Sequence, residues 1–83
     1  MWQDVISKYK GQKIAVWCAR YVYAGIVEEV GEQVLTLNNA SVIEVTGSAT
    51  AQKAETTDRI PSELHLNMEF IENVCRPTWL EAL

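Results

Sequence analysis

The 83-residue sequence predicts a mainly β fold, a strongly bent antiparallel sheet of five strands that closes into a small barrel behind one N-terminal α-helix. Three observations carry this. From Lys13 to Ala40 the chain alternates with period two, Ile14, Val16 and Cys18 first and then Tyr21, Tyr23, Gly25 and Val27. That is the pattern of half-buried strands. The break at Gly31-Glu32-Gln33 is short enough for a hairpin, and its glycine suits a tight turn. Gly25 stands in mid-strand, where a glycine weakens the ladder and so marks a sharp bend or a close backbone approach.

In chain order, Trp2, Val5, Ile6 and Tyr9 recur at helical spacing, which predicts an amphipathic helix over about residues 2–10, stopped by Gly11. A helix this short has no stability of its own in water, so its apolar stripe must lie on the sheet or across one mouth of the barrel. Strands are expected at about 13–18, 21–30 and 34–46, with Tyr21 and Tyr23 in the core. Residues 47–62 are polar and rich in Ala, Thr and Ser. They read as a long loop or a strand extension with a mobile tip, and Pro61 leads into the next strand. Leu64 and Leu66 alternate with Glu63, His65 and Asn67 in a fourth strand at 63–67. Residues 70–75 form a fifth, which Pro77 ends. Thr78-x-x-Glu81 matches a capping box for a last turn carrying Trp79, Leu80 and Leu83, apolar enough to dock on this subunit or a neighbour. Residues 1–83 thus read as one small domain, whose core is marginal unless oligomerisation adds to it.

Seven Lys and Arg against eleven Asp and Glu give a net charge of −4, which argues against a general, charge-driven nucleic-acid binder. The balance is uneven. Lys8, Lys10, Lys13 and Arg20 face only Asp4 in the first twenty residues, either as a basic face or as a solvated helix surface. Cys18 and Cys75 fall at opposite ends of antiparallel strands and are expected as two reduced, buried thiols. With no signal or transit pattern and no long apolar run, the expectation is a cytoplasmic protein without membrane contact.

Gly11-Gln12-Lys13-Ile14-Ala15-Val16, Tyr23-x-Gly25-x-Val27, Leu37-Asn38-Asn39-Ala40 and Phe70-Ile71-Glu72-Asn73-Val74-Cys75 follow one another in an order and spacing that resembles the Sm-like family. From Gly25 to Ala40 the spacing is similar to that of its bacterial host-factor branch without a gap. The resemblance covers roughly residues 3 to 77 and implies a bent five-stranded barrel with an N-terminal helix. It also implies a closed homo-oligomeric ring, in which the fourth strand of one subunit pairs with the fifth of the next. The interface would draw on Leu64, His65, Leu66, Asn67, Phe70, Ile71, Asn73, Val74 and Cys75. Neither strand carries a lysine or an internal proline to block edge pairing, and a head-to-tail contact that closes makes a ring.

Family members mostly bind single-stranded RNA around the pore, through the loop after the second strand and the loop between the last two. By resemblance these are Gly31, Glu32 and Gln33, and Asn67, Met68 and Glu69. Here the sequence departs from the family, which has an Asp, and in many members an Asn, in the first loop and Arg-Gly or Lys-His in the second. A ring would repeat Glu32 and Glu69 around one pore, a negative field where phosphates would go. Binding of single-stranded RNA or DNA would then need contacts of its own. Candidates are Lys8, Lys10, Lys13 and Arg20, with Gln33, Asn67 and Asn73 as neutral base contacts. Trp17 either stacks a base beside Arg20 or packs beneath the N-terminal helix.

Two functions remain open: a ring-forming protein binding single-stranded nucleic acid in RNA or DNA processing, or a ring-shaped scaffold that presents its loop tips and the Trp79 turn to a protein partner. An enzyme is not expected. His65 has no evident nucleophile, adjacent Glu28 and Glu29 point to opposite strand faces, and two distant cysteines make no metal site. No cofactor fingerprint is present.

Overall fold

The computed structural model describes every residue from Met1 to Leu83. Helix α1 spans Trp2–Ser7, and six strands follow: β1 Lys13–Cys18, β2 Val22–Val30, β3 Val34–Thr46, β4 Lys53–Arg59, β5 Leu64–Asn67 and β6 Ile71–Cys75. Short 3-10 turns cover Met68–Phe70 and Thr78–Ala82. Every pairing is antiparallel, in the order β4-β3-β2-β1-β6, with β5 also on β3. The strands at the two ends of this path, β4 and β6, do not pair with each other.

The central strand β3 serves two partners because it is bent. Val34–Leu37 pair with β5, and Ser41–Thr46 pair with β4. Between these halves Asn39 takes a φ of 50°, a left-handed conformation that asparagine tolerates better than most residues. Its N–H donates to Asn38 Oδ1 at 3.0 Å. Across the ladder β2 shifts register between Ala24 and Ile26, and Gly25 occupies the gap. A Cβ on Gly25 would meet Leu37 Cβ at 3.1 Å, and Ala40 Cα and Asn38 O at 3.2 Å. The two strands therefore bend together, with bare backbone at the point of closest approach.

Alternation then distributes side chains to two sides. Ile14, Val16, Val27, Leu35, Leu37, Leu66 and Ile71 form the main core with Ile6 of α1 and Met68. The opposite face is a smaller cluster of Ala15, Ala24 and Ile43 capped by Leu80. α1 lies at one end of the main core, with Ile6 buried and Trp2 and Tyr9 packed against it. Trp2 Nε1 donates to Ile71 O at 3.1 Å, and Gly11 N–H to Val27 O at 2.8 Å, so the segment is fastened to both β6 and β2.

Several expectations change. The segment 47–62 is not a loop throughout, because Lys53–Arg59 form β4 and the sheet has six strands instead of five. Its polarity reflects exposure, since only Ala54 and Thr56 of β4 are half-buried. The hairpin turns at Gly47, whose φ of +91° and close approach to Ala51 O exclude a side chain. The helix stops at Ser7, earlier than the apolar spacing predicts. Tyr9 and the chain to Gly11 continue as turns, and Gly11 adopts a φ of +83°. Val5 falls outside the buried stripe. The capping box does not form: the last turn is 3-10, Pro77 precedes it without a side-chain cap, and Glu81 pairs with Arg76 at 3.3 Å. Trp17 packs on Trp79 at a ring separation of 5.9 Å, on the face opposite the N-terminal helix.

Gly25 and Gly11 predict contrasting costs. Gly25→Ala forces atoms apart inside the sheet and is expected to lower stability by about 1–3 kcal/mol. Gly11→Ala meets open space and is penalised only by its backbone angle, at about 1 kcal/mol. Urea unfolding of both variants checks this. A Gly25→Ala midpoint equal to that of the parent would remove the bend from the account.

Candidate functional site

β5 pairs only with β3, and β6 only with β1, so each leaves one edge of backbone donors and acceptors open. Beside the open edge of β5 lies an apolar depression of about 380 Å³, lined chiefly by Cys18, Arg20, Tyr21, Tyr23, His65 and Phe70. It runs on into a hollow lined by Gln33, Val34, His65, Asn67 and Glu69. A third hollow, lined by Met1, Trp2, Val5, Met68 and Glu69, adjoins the second through Glu69. The five large apolar residues exposed on this protein all belong to this band: Met1 at 95%, Phe70 at 59%, Tyr21 at 50%, Val34 at 45% and Val5 at 42%. Scattered single apolar residues need no explanation, but their grouping in adjoining hollows, two of them beside an open strand edge, does.

Hydrogen bonds and ring contacts fasten the band. Met68 N–H donates to Gln33 O at 2.9 Å, joining the β2–β3 loop to the turn before β6. Asn67 Oδ1 accepts from Glu69 N–H at 2.9 Å and so caps that turn. Thr36 Oγ1 and His65 Nδ1 are 2.9 Å apart across the β3–β5 ladder, which orients the imidazole. At the β1–β2 turn the Arg20 guanidinium lies 6.0 Å from the Tyr21 ring centre, and Tyr21 meets Tyr23 at 6.1 Å in a tilted pair. Burial raises the Cys18 thiol above its ordinary value, and the nearby Glu72 carboxylate adds to this. Burial likewise raises Cys75. Both thiols are free and protonated at neutral pH, hence poor nucleophiles. Their strand partners are Ile71 and Ala15 respectively, so they sit about 10 Å apart along the ladder, beyond disulfide reach.

The residues singled out by sequence divide into separate groups. Gly31, Glu32 and Gln33 meet Asn67, Met68 and Glu69 as one cluster, but Met68 is buried and Asn67 spends its oxygen on the turn. Glu32 and Glu69 are exposed there. Arg20 precedes β2, at the opposite end of that strand from Gly31 and Glu32, and shares its depression with Asn67 of this cluster. Lys8 and Lys10 are exposed just after α1. Lys13 Nζ donates to Leu83 O at 3.2 Å, and Trp17 is occupied by Trp79. A basic face with a Trp17–Arg20 platform is therefore not assembled; Arg20 pairs instead with Tyr21. Of the candidate interface residues, Leu66 and Ile71 are buried, Leu64, Val74 and Cys75 are half-buried, and His65, Asn67, Phe70 and Asn73 are exposed. Sequence reasoning missed Tyr21, which it placed in the core. The signal against that placement is its position outside β2, on the turn beside Arg20.

The chain holds no group of three His, Cys, Asp or Glu placed to bind a metal, and no helix long and apolar enough to cross a membrane. No protein-family model and no curated protein matches it.

Glu63, which immediately precedes β5, lies near Glu28 on β2. Its carboxyl, as a partner for a shared proton, with lesser desolvation and repulsion, raises the Glu28 carboxyl above its ordinary value. The folded state therefore holds this proton more tightly than the unfolded chain does. The resulting stabilisation is present at low pH and is lost as pH rises through the raised value. Glu28→Gln supplies a permanent donor, so its urea midpoint should exceed that of the parent at pH 7, and the gain should disappear below the ordinary glutamate range. Equal midpoints at pH 7 would show that the pair contributes nothing.

Proposed function

We propose that this chain is a self-assembling Sm-like protein that closes into a ring through its strand edges and binds single-stranded nucleic acid. The observation that carries the reading is the exposed apolar band beside the unpaired edge of β5, with a second unpaired edge on β6 for a neighbour to use. Exposed apolar surface and unpaired ladder groups are both relieved when another copy covers them. Three further features support the Sm-like assignment. β2 and β3 bend at Gly25, Leu37 and Ala40 lie against that glycine, and β6-β1-β2-β3-β5 form a continuous path, the strand order that such a barrel requires.

The nucleic-acid part of the reading rests on Arg20 and Tyr21. A cation stacked on an exposed aromatic ring at a turn is the side-chain chemistry that holds a base and its phosphate without sequence preference. The cluster around Glu32 and Glu69 repels phosphate, so contacts fall at the β1–β2 turn and at the basic residues of the N-terminal segment.

Native mass spectrometry tests the assembly. A single ring mass is expected for the parent, and Phe70→Asp should shift it to monomer, because the exposed ring is lost from the band and each copy would add a charge there. A monomeric parent would sink the ring and with it the Sm-like reading. For the ligand, fluorescence anisotropy with short RNA and DNA strands should show affinity that falls steeply with salt. Replacing Lys8, Lys10 and Arg20 together should weaken it at least tenfold. A ring that binds no strand at low salt would leave the protein scaffold as its function.

A further inference from the structure

Four hollows mark the surface of the protein. Three of them have a carboxylate in their lining, Glu69 in two and Glu44 in the one beside Val42 and Thr57. The other is the depression of about 380 Å³ beside β5, which has none. Arg20 is its one permanently charged side chain. Burial, with the nearby Glu72 carboxylate, raises the Cys18 thiol, and burial, followed by Cys18 and Tyr21, raises the Tyr23 phenol. Both therefore stay neutral at physiological pH. In a chain of net charge −4, this hollow alone holds a cation with no acid in its wall.

Its walls are flat and aromatic. Tyr21, Tyr23 and Phe70 line it with the His65 imidazole. Tyr21 and Phe70 are 50% and 59% exposed, so part of each ring meets solvent. The Arg20 guanidinium stays with the Tyr21 ring, 6.0 Å from its centre. Polar groups are few and not all spent. Thr36 engages His65 Nδ1 and leaves Nε2, while Glu69 N–H engages Asn67 Oδ1 and leaves the amide donors. The volume suits a base with its ribose, since small-molecule sites run from about 300 to 1,000 Å³. Any base stacks on an aromatic ring, and a guanidinium pairs with phosphate oxygens.

We propose that this hollow is a nucleotide site, taking one base against Tyr21 and Phe70 with its phosphate on Arg20, either as a free nucleoside monophosphate or as one unit of a single strand. The inference deepens the nucleic-acid reading of Arg20 and Tyr21 and rests on it for the strand. The free nucleotide needs neither strand nor ring, because one subunit supplies the whole lining. Charge sets the number of phosphates. A single guanidinium neutralises one charge, and the exposed Glu69 and Glu72 carboxylates nearby repel any more. AMP therefore binds more tightly than ATP, the reverse of the order that a general cationic surface gives.

Amide NMR of the isotope-labelled full chain, titrated with AMP, tests this. Saturable shifts are expected at Ala19–Tyr23 and His65–Asn67. Arg20→Ala, an exposed position, should weaken AMP by about tenfold or more, and Tyr21→Leu, which keeps bulk without the aromatic face, should also weaken it. Lys53→Ala removes the same charge from the distant strand β4 and should bind as the parent does. A short oligoadenylate that displaces AMP from these amides identifies the strand as a source; one that does not leaves the free nucleotide. No saturable shift with millimolar AMP would overturn the proposal, as would shifts confined to other segments or equal losses in Arg20→Ala and Lys53→Ala. Native mass spectrometry of the same samples separates the two readings. A monomer showing these shifts keeps the pocket and loses the ring, whereas a ring that binds RNA without them loses the pocket alone.

Discussion

The contact of Gly25 with Leu37, Asn38 and Ala40 is the constraint on which the rest of the molecule depends. A straight β3 of thirteen residues would face a single partner on its outer side. Bent at Asn39, it offers its first half to β5 and its second half to β4. The first half and β5 curl over Ile14, Val16 and Val27 to enclose the main core, while the second half runs out as an exposed hairpin with β4. The missing Cβ of one residue thus decides where burial ends and where an open edge begins. Overpacking at such a point is felt on both sides of the sheet, because β2 and β3 are shared by both apolar clusters.

Much of this was legible in the sequence. Strands β1 and β3 match the alternation at both ends, and Gly25 marks the bend because a glycine inside an apolar strand has few other reasons to be there. β4 was not legible. Lys53, Glu55, Thr57, Asp58 and Arg59 face solvent, and the one half-buried face shows only Ala54 and Thr56, too little apolar character to give a readable period. Trp17 takes neither of the places expected for it, beside Arg20 or beneath the N-terminal helix, and packs on Trp79. Its neighbour Trp79 lies near the other end of the chain, in a segment whose Thr-x-x-Glu spacing suggested a different local structure. Periodicity tells which face a residue takes; it does not tell which distant segment arrives to cover that face.

The site divides along the same line. The β2–β3 loop and the turn before β6 come together, and they bring two carboxylates and a buried methionine instead of cations. Exposed apolar side chains, which sequence alone cannot separate from buried ones, turn out to lie in one band. The protein therefore has acidic character at this cluster and apolar character in the adjoining hollows. Arg20 and Tyr21, at the far end of β2, are the one place where a cation and an aromatic ring meet in the open.

The attachment of β6 has a kinetic side. Its ladder with β1 joins Ala15 to Cys75 and Val16 to Val74, contacts that span most of the chain. The β2–β3 pairing needs only a three-residue turn, so it can form early, whereas β6 must wait until the intervening chain is organised and loop-closure entropy has been offset. β6 is less securely held than β2 or β3, each of which is paired on both sides. Its only strand neighbour is β1, and its start is fastened by one indole hydrogen bond from Trp2. Amide hydrogen exchange should find Ile71–Cys75 opening ahead of β2 and β3. Opening of β6 would expose the outer edge of β1 while the β2–β3 ladder stayed paired.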